Sequence, residues 1–169
     1  MSETIKHKLL NDRNLQIGNI CFQLSHLEFL LMLTVRSLVR VDEATGKILC
    51  AGRNIQSRLN LAIALSKHLN APHEAFEALN TLRDKLQKNK LLERRNKAIH
   101  GHRLLDPEDP SNELVEVSSG KGKNQKVPQS NDDLAKLGKE IADAHKQFHA
   151  SMISSGVFTA CCAKPNIIE

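Results

Sequence analysis

The sequence predicts an all-α protein, a four-helix bundle with a hairpin-like insert between helices three and four, and three observations lead there. Apolar residues recur at three- and four-residue steps over four long stretches, the spacing that places side chains along one face of an α-helix. The core material is aliphatic: Leu, Ile, Ala and Val are abundant, whereas five Phe and neither Trp nor Tyr occur among 169 residues. Between Gly101 and Ser130 the helical period is lost, and Pro107, Pro110 and Pro128 punctuate the stretch.

The first helix, from about Asp12 to Val41, carries Ile17, Ile20, Cys21, Leu24, Leu27, Leu31, Val35 and Leu38 on one stripe. Phe29, Leu30 and Leu33 widen that stripe, which suits a helix central in a bundle or lying at a dimer interface. Residues Asp42 to Gly52 read as a loop because Thr45-Gly46 and Ala51-Gly52 are breakers. Asn54 caps a second helix with Ile55, Leu59, Ala62, Ile63 and Leu69 inward, ending near Asn70 to Pro72. A third begins at Pro72, carries Phe76, Leu79, Leu82, Leu86, Leu91 and Ile99, and stops at Gly101. In the insert, Leu114 to Val117 and Lys126-Val127 read as short paired strands. Asn131 caps the fourth helix, Asp132 to Ser154, with Leu134, Leu137, Ile141, Ala144 and Phe148 buried. Residues 1–155 form a single helical domain containing the insert at 102–130, and 156–169 form a C-terminal tail.

Composition narrows the function. A formal charge of +5 favours encounter with a polyanion without specifying one. The scarcity of aromatic residues excludes an RNA-binding sheet that stacks bases, and an aromatic-lined ligand pocket. Cys21 and Cys50 stand apart and Cys161 and Cys162 are adjacent, so the thiols show no metal-ligand spacing and read as reduced cysteines of a cytoplasmic protein. Met1-Ser2-Glu3-Thr4 opens no signal region, and the longest apolar run, Phe29 to Leu33, is too short to cross a bilayer, so no membrane partner is expected.

The stretch Glu93-Arg94-Arg95-Asn96-Lys97-Ala98-Ile99-His100-Gly101 carries the chemistry. On a helix Asn96 and His100 share a face, and Glu93 falls on the same stripe. Arg95 lies roughly 140° around the helix from His100, so its long side chain must reach across to join them. Imidazole moves protons near neutral pH, and a guanidinium offers a planar donor fork to phosphoryl oxygens.

Arg95 and Asn96, followed three residues later by His100 and then Gly101, resemble the Arg-polar-x-x-x-His motif of HEPN domains, placed late in the third of four helices. The architectural resemblance covers about Asp12 to Ser154. It implies a metal-independent endoribonuclease with Arg95, Asn96 and His100 as catalytic residues, no cofactor, and a homodimer whose two motifs share a cleft. A toxin or defence effector, neutralised by an antitoxin protein, is the biological setting the resemblance implies. HEPN folds also include noncatalytic dimeric modules that bind protein or nucleotide, and that alternative stays open.

Supporting positions follow. Glu28 interrupts the apolar stripe of the first helix, and a carboxylate there needs a partner, with Arg95 as a candidate. Glu93 is expected beside the motif. Arg94, Lys97, Arg103, Lys121, Lys123 and Lys126 are expected to meet RNA phosphates, the last three from the tip and arm of the insert. His145 and His149 have a chelating i,i+4 spacing, but the sequence offers no third ligand and no metal is expected. Ser119-Gly120-Lys121-Gly122-Lys123 lacks the spacing of a phosphate-binding loop and reads as a basic turn.

Overall fold

A computed structural model of the chain describes residues 3–100, 102–105, 113–118, 124–128 and 130–158. Six helices stand among the described residues: α1 (Glu3–Val39), α2 (Glu43–Cys50), α3 (Ile55–His68), α4 (His73–Lys88), α5 (Leu91–His100) and α6 (Asn131–Ser154). Between α5 and α6 lie β1 (His102–Leu105), β2 (Glu113–Ser118) and β3 (Asn124–Pro128), an antiparallel sheet in the order β1-β2-β3. Its register sets Arg103 opposite Val115 and Lys126 opposite Glu116. The β1 strand is additional to the two strands expected from sequence.

Two sequence expectations are corrected by local physics. The segment read as a loop contains α2, because the Asp42 carboxylate caps it by accepting from the Thr45 N–H at 2.8 Å. Gly46, taken as a breaker, is instead a packing residue: a Cβ there would meet the Arg36 side chain at 3.1 Å. The expected third helix is divided into α4 and α5 at Lys90, whose φ of 49° is left-handed. That conformation costs a non-glycine residue roughly 1–2 kcal/mol. The Lys90 carbonyl then accepts from Arg94 N–H at 2.8 Å to begin α5.

The chain divides into two compact units, residues Met1–Gln23 with Gln87–Ala142, and Leu24–Leu86 with Asp143–Glu169. In the first unit the buried apolar side chains are Ile20 of α1, Leu91 and Ala98 of α5, and Leu134, Leu137 and Ile141 of α6. Gly138 permits a close approach to Asn19, 3.3 Å from where a Cβ would stand. The cap of α6 is Ser130 rather than Asn131: its hydroxyl accepts from Asp133 N–H at 3.1 Å while the Asp133 carboxylate accepts from Ser130 N–H at 3.0 Å.

In the second unit Leu24, Leu27, Leu31 and Val35 of α1, Leu59 and Ala62 of α3, Leu79 and Leu82 of α4, and Phe148 and Met152 of α6 are buried. Asn54 caps α3 as expected, accepting from Ser57 N–H at 2.9 Å. Leu69, expected inward, is the exposed C-cap of that helix. Phe76 is only half-buried and Ala75 takes the inward place. Cys21, expected on the buried stripe of α1, is exposed.

Residues Asn11–Val39 of α1 are long and apolar enough to cross a membrane, which the shortness of the uninterrupted apolar runs had argued against. Their buried members recur at three- and four-residue steps, and Glu28 in the middle of the span meets a cation of α3.

Candidate functional site

Helix α5 carries the motif, and its two faces are sharply different. Leu91 and Ala98 are buried, and Arg94 and Arg95 lie between them on the same stripe, half-buried. Glu93, Asn96 and His100 are exposed on the opposite side, the shared face that helical spacing assigns them. Arg95 is therefore rooted on the inward stripe, yet its Nη1 donates to Asn96 Oδ1 at 2.8 Å. Its Nε is buried without a hydrogen-bond partner, an unfavourable arrangement for a charged donor.

Neighbouring charges are committed elsewhere. Arg94 Nη1 bonds the Glu140 carboxylate of α6 at 2.5 Å, with both side chains about one-third exposed or less. This pair ties α5 to α6 within the first unit. Lys97 Nζ lies 3.0 Å from Glu93, one turn back. The Lys97 hydrogen bond, then its charge, holds the Glu93 carboxyl below its ordinary value, so Glu93 serves as the counter-ion of Lys97. Glu28 is bound by Arg58 rather than by the expected Arg95: Arg58 Nη1 donates to the Glu28 main-chain carbonyl at 3.3 Å and stands 3.7 Å from its carboxylate.

Arg103 and Lys126 occupy β1 and β3 at the register positions given above. Lys121 and Lys123 lie outside the described residues, as do Gly101, Cys161 and Cys162.

Sequence reasoning missed Glu140 and Arg58 because each meets its partner across a long separation in the chain. It also missed His26. This residue brings its ring within 5.5 Å of that of His145, whose ring stacks on His149 at 6.4 Å between centroids. Among the described residues no group of three ligating side chains is arranged to hold a metal ion.

The arrangement on α5 therefore offers an exposed imidazole at a helix C-terminus and a guanidinium oriented by an amide on the same exposed face. Comparison of the chain with models of protein families, with curated proteins and with solved structures finds no match to any of them.

Proposed function

We propose that the protein is a metal-independent endoribonuclease of the HEPN type, a four-helix bundle acting in the cytoplasm as a homodimer, with Arg95, Asn96 and His100 as its catalytic residues. The observation that carries this reading is the Arg95–Asn96 hydrogen bond, which brings the guanidinium to the face that Asn96 shares with His100. RNA supplies the nucleophile, its own 2′-hydroxyl. As the 2′-oxygen bonds to phosphorus, the bond from phosphorus to the 5′-oxygen breaks, leaving a 2′,3′-cyclic phosphate and a 5′-hydroxyl. His100 serves either proton transfer: as a neutral base it takes the 2′-hydroxyl proton, and as a cation it supplies one to the departing 5′-oxygen. Arg95 stabilises the charge that develops on the phosphoryl oxygens. Lys121, Lys123, Lys126 and Arg103 hold the flanking phosphates. A role as a toxin or defence effector restrained by a protein partner fits such an activity.

The reaction needs no cofactor, so cleavage of a labelled RNA should proceed at the same rate in excess EDTA. Loss of cleavage on chelation, restored by zinc or magnesium, would replace this mechanism with a metal-assisted one.

The noncatalytic reading, a dimeric module that binds protein or nucleotide, is favoured by a different observation. Leu15, Phe22 and Phe29 recur at seven-residue steps along α1 and are exposed by 70%, 57% and 53%. An apolar stripe of that spacing suits helix-on-helix docking of a second copy. Both readings expect two subunits in sedimentation at micromolar concentration, reduced to one by Phe22→Glu with Phe29→Glu. A parent protein that stays monomeric would remove the shared cleft. The two readings part at RNA cleavage itself.

A further inference from the structure

We propose that the imidazoles of His26, His145 and His149 form an acid-sensitive clasp, which fastens the end of α6 to the middle of α1 at neutral pH and releases it as His145 takes a proton. All three residues belong to the second unit. His145 is the centre. The His26 ring meets it edge to face at 5.5 Å and the His149 ring stacks on it at 6.4 Å, with 8° between their planes. His149 in turn lies 5.9 Å from the Phe158 ring, in the turn that follows α6. Phe158 N–H closes that turn on the Met152 carbonyl at 3.4 Å, and Val157 beside it is buried. The ring cluster thus joins α1, α6 and the first residues after α6.

This arrangement accepts neutral imidazoles and resists charged ones. His145 Nδ1 is shut off from solvent and has no hydrogen-bond partner. A neutral ring with its proton on Nε2 leaves only a lone pair at that position. The cation would place an N–H donor there with nothing to receive it. The groups acting on His145 are His26 from α1 and His149 and Lys146 from α6, each positive when charged. Burial first, and then these neighbours, push the His145 pKa below its ordinary value of 6.5.

The sign of the pH effect follows. Above the ordinary value, folded and opened chains are both neutral at His145 and the clasp keeps its full strength. As the pH falls below it, the opened form takes a proton that the closed form refuses. Opening therefore gains up to about tenfold per pH unit until the closed-state pKa is reached.

Amide hydrogen exchange of the full chain at about pH 7.5 and about pH 5.5, corrected for intrinsic rates, tests the clasp. Protection of the Met152 to Phe158 amides should fall by up to about tenfold more than that of the Leu59 to Ala62 amides in α3, and by more than about twofold in any case. In His145→Gln the difference between the two segments should shrink to within about twofold, and in His26→Gln it should shrink in part. Equal losses in both segments of the parent, or an unchanged difference in the variants, would overturn the proposal. Should His145→Gln fail to fold, the parent's histidine titration by NMR decides. His145 should titrate below the ordinary histidine value and move upward in His26→Gln. A midpoint at or above the ordinary histidine value refutes the clasp.

Discussion

Replacing His100 with alanine should lower RNA cleavage by about 10²-fold or more while leaving RNA affinity nearly unchanged. The imidazole is exposed and none of the ion pairs described around α5 includes it, so its removal deletes proton transfer without disturbing the helix. Arg95→Ala should reduce cleavage and binding together, because the same guanidinium holds ground-state phosphate and answers the developing charge. Arg95→Lys should rescue poorly: an ammonium lacks the planar fork and cannot both engage Asn96 Oδ1 and present paired donors to a phosphoryl group. Lys121→Ala and Lys123→Ala should chiefly weaken binding and flatten its dependence on salt. Single-turnover cleavage and equilibrium RNA binding, measured on variants with parental circular dichroism and oligomeric state, separate these effects. If folded His100→Ala cleaves several RNAs as fast as the parent, the noncatalytic module becomes the better account.

The largest expected loss of stability near the site comes from Leu91→Ala. Leu91 is almost completely buried at the start of α5, and only Ala98, a small side chain, joins it among the helix's fully inward positions. Truncation leaves a cavity that two half-buried arginines on the same stripe are poorly suited to fill, and costs about 2–5 kcal/mol. That is a large part of the total stability of a domain of this size, which is of order 5–15 kcal/mol. The denaturant midpoint should fall accordingly, and cleavage with it, since the helix holding Arg95 and His100 loosens. By contrast Ile48→Ala, on the exposed side of α2, should stay within about 0.5 kcal/mol of the parent. A Leu91→Ala midpoint equal to that of the parent would show that α5 is not held by this side chain.

What could be read from the sequence was what short-range physics decides. The inward stripe of α6, from Leu134 to Phe148, and the Asn54 cap of α3 depend on residues a few positions apart. So does the shared outward face of Glu93, Asn96 and His100. The placement of α2 was hidden because Gly46 signals a break locally, whereas its lack of a side chain is required by Arg36. Charge partners were the least legible. Glu28 finds Arg58 thirty residues away, and Arg94 finds Glu140 forty-six residues away; no periodicity connects either pair. The reach of Arg95 toward His100 was a requirement that spacing does not decide, and the hydrogen bond found is the one to its neighbour Asn96.

The left-handed Lys90 has a consequence for helical phase. The inward positions of α4 are 75, 79, 82 and 86, and an unbroken helix would carry that series on through 90, 93, 97 and 100. Glu93, Lys97 and His100, and not Leu91 and Ala98, would then continue that stripe. With the break at Lys90, the inward series restarts at Leu91 and runs through Arg94, Arg95 and Ala98. A slip of about one residue, roughly 100° of helix rotation, thus separates the stripe of α5 from that of α4. One residue in an unfavourable backbone conformation thereby lets Leu91 and Ala98 take the inward places of α5 while His100 faces water.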